Sequence, residues 1–195
     1  QVPGLKGPDI DLSLLRLSFL AAMIATGPGL AWAQLSLLDP EFLEDAKNGR
    51  RENVYKSLVR GQSANTSNSA GQTALMYAAM GNHVEVIEVL VQNKGNVRLK
   101  DREGRTPLFW ASAAGHVEAV EALLKFGAPP NDIDRQGTSA LMIASRRGYE
   151  DVVRLLIAAK ADVNLTDHTG RTALMWSAES RNSQVPAMLK KAGAR

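Results

Sequence analysis

The sequence predicts an all-α solenoid of about five stacked helix-turn-helix repeats joined by β-hairpin-like fingers. Three observations predict it. Gly71, Gly104, Gly137 and Gly170 recur at 104−71, 137−104 and 170−137, an interval of 33 each time. Leu75, Leu108, Leu141 and Leu174 keep the same interval, as do Leu90, Leu123, Leu156 and Leu189. The composition suits thin helical layers, with 45% AVILMFWYC but only 5% aromatic residues, so the apolar interior is built from small side chains. A period of this size marks supersecondary units that bury their apolar faces only by lying on one another.

The first 33 residues stand apart. Lys6 and Arg16 precede a mostly apolar run from Leu17 to Ala25, which Gly27-Pro28-Gly29 breaks. Ala31-Trp32-Ala33 then places small residues three and one before Gln34. This order describes a secretory signal peptide cleaved between Ala33 and Gln34. The run falls short of the about 20 apolar residues that span a bilayer, so no stable membrane anchor is expected after cleavage. An uncleaved anchor, or an N-terminal helix packed on the repeats, is the alternative. The absence of cysteine excludes disulfides, thiolate metal sites, a cysteine nucleophile and a lipoprotein anchor, and it suits an oxidising compartment.

The repeats divide at about 38–68, 69–101, 102–134, 135–167 and 168–195, all within a domain of residues 34–195. The first unit opens with Asp39-Pro40-Glu41-Phe42, a good helix start with Phe42 at the leucine position. In the following units Thr73, Thr106, Ser139 and Thr172 stand where a helix begins, and their hydroxyls can cap free backbone N–H groups. Pro107 follows its cap, where proline is tolerated. Ala78, Ala111, Ala144 and Ser177 are small enough for helices to approach closely. Gly49, Asn82, Gly115 and Gly148 occupy the loop between the helices of a pair, a place for left-handed backbone. The second helices carry the stripes Val84, Ile87, Leu90, Val91, then Val117, Val120, Leu123, Leu124, then Val153, Leu156, Ile157. Asp101, Asp134 and Asp167 each lie three residues before a turn glycine, where a carboxylate accepts turn N–H bonds. The last unit departs from the pattern, with Arg181 at the loop position and Pro186 early in its second helix.

The motifs GQTALMYAA (Gly71 to Ala79), GRTPLFWASAAGH (Gly104 to His116), GTSALMIAS (Gly137 to Ser145) and GRTALMWSA (Gly170 to Ala178) resemble ankyrin repeats. The resemblance covers about Leu38 to the end and implies an ankyrin-repeat solenoid. It also implies that the histidine after the loop position, His83 and His116, is structural. Partner binding in that family falls on the fingers and the inner face of the first helices.

No catalytic constellation is present: H-E-x-x-H, G-x-S-x-G and G-x-x-x-x-G-K-[ST] are all missing. His83 and His116 occupy equivalent places in adjacent repeats, roughly 8–10 Å apart across stacked helices, too far to share a metal ion. No enzyme activity, cofactor or metal is therefore expected. A net charge of +3 is weak for nucleic-acid binding. Removing Lys6, Arg16, Asp9 and Asp11 from 23 basic and 20 acidic residues leaves 21 and 18, the same excess.

Two residues beyond the anchor leucine the chain carries Tyr77, Trp110, Ile143 and Trp176, an expected apolar stripe along the concave side. Met80 and Arg146 lie three residues further on, and Arg102, Arg135 and His168 occupy finger tips. Trp, Tyr and Arg are frequent interface anchors. These nine residues form the expected binding surface of a bacterial, periplasmic or secreted monomer that docks another protein. Packing of the stripe against neighbouring repeats is the structural alternative. Lys100, Arg102, Arg105, Arg135, Arg146, Arg147 and Arg171, offset in part by Asp101, Glu103, Asp132 and Asp134, are expected to make this side mildly basic and suited to an acidic protein surface, with an ordinary solvated mixture as the alternative. An exported enzyme or a toxin neutralised by an immunity-type inhibitor are two kinds of partner. A glycan stacked on Trp110 and Trp176 is a different class of ligand.

Overall fold

The computed structural model describes residues 40–180 and 182–195, and Asp39–Arg195 forms one compact unit. The leader, its junction at Ala33 and Gln34, and Arg181 lie outside the described residues. Among the described residues ten helices follow in pairs: α1 (Pro40–Lys47) with α2 (Arg51–Val59), α3 (Ala74–Met80) with α4 (Val84–Gln92), and α5 (Pro107–Ala114) with α6 (Val117–Lys125). Then come α7 (Ala140–Arg147) with α8 (Glu150–Ala158), and α9 (Ala173–Ser177) with α10 (Gln184–Lys191). First helices contact one another in series from α1 to α9, and second helices do the same from α2 to α10. This is the stacked all-α repeat architecture that the period implies.

Each first helix after the opening unit starts at its expected cap. The Thr73, Thr106, Ser139 and Thr172 hydroxyls accept from the backbone N–H of Met76, Phe109, Met142 and Met175. That satisfies one of the free N–H groups at each helix start. The apolar columns lie inside the stack. Leu75, Leu108, Leu141, Leu90, Leu123, Leu156 and Leu189 are buried, as are Ala78, Ala111, Ala144 and Ser177. Phe42 fills the first leucine position and is buried too. Met76, Phe109 and Met142 are buried. Met175, in the same column of the last described layer, is 54% exposed.

The second helices lack caps of their own at His83, His116, Tyr149 and Ser183. At α6 the preceding repeat supplies one: Asn82, in left-handed backbone at φ 58°, accepts from Ala119 N at 3.1 Å through its Oδ1. Its Nδ2 donates to Glu118 at 2.9 Å, and this hydrogen bond is the main cause that holds the Glu118 carboxyl below its usual range. His83 and His116 stitch layers together, each donating from Nε2 to a carbonyl of the preceding repeat, Lys47 O and Met80 O, both at 2.9 Å. Asn182 closes the last junction by donating to Gly148 O at 3.0 Å.

Tyr149 stands in the histidine column, and its ring lies against Gly115. A Cβ at Gly115 would meet that ring at 2.9 Å, in backbone at φ 79°. Gly127 has the same φ of 79° but open space around it. Gly127→Ala therefore isolates the left-handed penalty, about 1 kcal/mol. Gly115→Ala adds overpacking against Tyr149 and is expected to cost about 3 kcal/mol in all. Thermal or urea unfolding of both variants checks the difference, and equal losses would show that the Tyr149 contact yields freely.

Candidate functional site

The fingers are built from one repeated device. Asp101 Oδ1 accepts from the backbone N–H of Glu103 and Arg105, both at 2.9 Å, which closes the turn. Its Oδ2 accepts from Arg105 Nε at 3.0 Å and Trp110 Nε1 at 3.1 Å. The Arg105 guanidinium also lies 4.3 Å over the Trp110 ring. Carboxylate, guanidinium and indole thus tie the finger to the first helix of its own repeat.

Asp167, Arg171 and Trp176 repeat the arrangement in the last described finger. Asp167 Oδ1 accepts from Thr169 N, Thr169 Oγ1 and Arg171 N, and Oδ2 accepts from Trp176 Nε1 at 2.9 Å. Arg171 Nε lies 3.4 Å from the same oxygen, and its guanidinium 4.0 Å over the indole. Burial alone would raise the Asp167 carboxyl. The hydrogen bonds from Thr169, Arg171 and Trp176 outweigh it and hold the group far below the ordinary carboxylate range. Asn68, Gln72 and Tyr77 form a neutral version, in which Asn68 Oδ1 accepts from Ala70 N and Gln72 N while Nδ2 donates to Tyr77 Oη at 2.9 Å. In the remaining finger, Asp134 Oδ1 accepts from Gln136 N and Thr138 N at 2.9 and 2.8 Å, but Thr138 and Ile143 stand where the Asp101 and Asp167 fingers have Arg and Trp.

The stripe differs from the expected exposed apolar surface. Tyr77, Trp110 and Ile143 are half-buried, and Trp176 is buried, at 8% exposure. The reason is the polar handle of the ring. An indole on a first helix lies within reach of its own finger carboxylate, so its N–H turns there and a guanidinium covers its face. Arg146 joins this cover, 5.0 Å from the Trp176 ring, and pairs with Glu179 at 2.9 Å in the same column of the next repeat. Glu179 also accepts from Arg171 at 2.9 Å. Met80 is half-buried, and its carbonyl holds His116.

Fingers are joined edge to edge by their tips. Arg102 N donates to Ala70 O, Arg135 N to Glu103 O and His168 N to Gln136 O, at 2.9, 2.9 and 3.0 Å. The side chains of Arg102, Arg135 and His168 are left exposed in register. Among the described residues, Arg105, Arg146, Arg171 and Lys100 are paired with acids, whereas Arg102 and Arg135 enter no ion pair. The expected basic side is thus largely neutralised on the helices and retained at the tips. Sequence reasoning missed the clamps, although a signal was present: Asp, then Arg four residues on and Trp nine residues on, occurs twice, two repeat intervals apart.

Among the described residues no cluster of three or more His, Asp or Glu side chains is placed to hold a metal ion, and no helix is long and apolar enough to cross a membrane. Residues 43–134 and 126–195 match a family model described as ankyrin repeats in 3 copies. No curated protein matches the chain.

Proposed function

Since the chain belongs to the ankyrin-repeat family, whose repeats generally serve as protein–protein interaction modules and are typically non-enzymatic, we propose that it docks one protein partner through its finger tips and first-helix side, in the bacterial periplasm after loss of residues 1–33. The observation that carries this reading is the row of exposed Arg102, Arg135 and His168 side chains on fingers locked to one another by backbone hydrogen bonds. The finger backbone is ordered before the partner arrives, so the conformational entropy lost on docking is confined to the side chains. Two unpaired guanidinium groups in register suit an acidic protein surface and favour fast encounter at low salt. Sugar stacking on Trp110 and Trp176 needs open indole faces, and guanidinium groups lie over those faces at 4.3 and 4.0 Å.

The test is a double charge reversal, Arg102→Glu with Arg135→Glu, used as bait in periplasmic extract of the native host beside the unaltered protein. Loss of a specifically captured protein, with the far-ultraviolet spectrum unchanged and with capture by the unaltered bait weakened by salt, is the expected result. Undiminished capture by the reversed bait removes the finger tips from the interface. Export is checked separately by mass spectrometry of the mature protein, expected to begin at Gln34.

A further inference from the structure

Asp134 is the one finger aspartate whose outer oxygen has no partner among the described residues. Asp101 Oδ2 and Asp167 Oδ2 each accept from an indole and face a guanidinium of their own repeat. Asp134 is buried to a similar degree, at 7% exposure, yet only its Oδ1 is engaged, by the turn N–H groups of Gln136 and Thr138. Thr138 is too short to fold back as Arg105 and Arg171 do, and Ile143 has no donor to offer. Both replacements are smaller than the Arg and Trp they stand for, and Ile143 is only half-buried. The third clamp is therefore missing its cation and its donor, between two clamps that are complete.

We propose that Asp134, Thr138 and Ile143 form a notch that receives a guanidinium side chain from the docked protein, which completes the third clamp in trans. This rests on the protein-docking reading above and names one chemical feature of the partner. A buried carboxylate with a free oxygen favours a charge-assisted, planar donor, and Arg meets that need better than Lys. The same chain shows the geometry twice: Arg105 on Asp101 and Arg171 on Asp167, both over aromatic rings. Most neighbouring cations are already engaged, Arg105 by Asp101, Lys100 by Asp132, and Arg146 and Arg171 by Glu179, while Arg135 is exposed at the finger tip. An arginine within an otherwise acidic contact surface would fix the register of the partner along the row of fingers.

The full chain, labelled with nitrogen-15, is titrated with N-acetyl-arginine amide and, separately, with N-acetyl-citrulline amide, which has the same shape and no charge. The expected result is a saturable shift of the Gln136, Thr138 and Ile143 amides with arginine only. Two variants sharpen it. Asp134→Asn keeps Oδ1 for the turn, as Asn68 does natively, and is expected to weaken the arginine response at least about tenfold. Thr138→Arg with Ile143→Trp builds the clamp from within and is expected to abolish the response. Equal shifts with citrulline, an undiminished response in Asp134→Asn, or no saturable shift at this finger would overturn the notch. Those outcomes leave the finger-tip docking surface to the charge-reversal capture, which fails or succeeds without reference to Asp134.

Discussion

Replacing Trp176 by Ala is expected to lower stability by about 3–5 kcal/mol, read from urea unfolding near neutral pH. The indole is buried, and its removal takes away the Asp167 hydrogen bond and the surface on which Arg171 and Arg146 rest. Trp176→Phe separates the two contributions. It keeps most of the packing and loses the N–H donor, for an expected cost of about 1–2 kcal/mol. Its dependence on pH carries the more specific expectation. Asp167 has a folded-state pKa held below its unfolded value, so its ionised form contributes stability that is fully present above the unfolded pKa near about 3.9. That contribution is lost as pH falls toward the folded value. Removing one of the hydrogen bonds raises the folded pKa and shrinks the contribution. The unfolded value is common to both proteins, so the gap between the unaltered protein and Trp176→Phe should stay constant until pH falls to the raised folded pKa of the variant, and narrow below it. An Asp167 carboxyl that titrates at the same pH in both proteins, followed by its carbon-13 chemical shift, would mean that the indole N–H does not act on Asp167.

Leu123→Ala is expected to cost about 2–5 kcal/mol and to split the unfolding transition in two. Leu123 is fully buried in α6, in the middle layer of the stack. In a solenoid each layer is held by its neighbours, so a cavity in the central one weakens both interfaces and uncouples the units on either side. Leu189→Ala removes the same number of atoms from the same column, but at α10 only one interface is affected. It should fray the last repeat and leave the remainder folding as one. Unfolding followed by circular dichroism and by indole fluorescence distinguishes the cases. The two probes should diverge for Leu123→Ala, because Trp110 and Trp176 lie in different layers. Coincident curves with an unchanged midpoint would remove the claim that the stack is held by nearest-neighbour burial.

Much of the fold was legible because it depends on local or strictly periodic features. A Thr or Ser cap needs only its own helix start, and the Asp in each finger needs only the next four residues. Asn82 in the glycine column announced its left-handed backbone. The site was legible in part. Arg102, Arg135 and His168 are exposed at the tips as expected, since the finger itself sets their place. The aromatic residues were placed on the correct helices, but the hydrogen bonds from the indoles to the finger carboxylates were not foreseen. Whether an indole faces solvent or its own finger depends on how the finger folds over the helix, and no spacing rule states that distance. The same holds for Arg146, whose partner Glu179 lies one layer away.

By itself, the order of residues determined the number of layers, their helical pairs, the caps and the turn carboxylates, because each repeat meets only its neighbours and the interval of 33 records that directly. Only the tertiary structure decided which charges remain free. Stacking brings Glu179 to Arg146 and each described indole to its finger carboxylate, cancelling most of the basic side while leaving the Arg102 and Arg135 guanidinium groups, and one oxygen of Asp134, without a partner among the described residues.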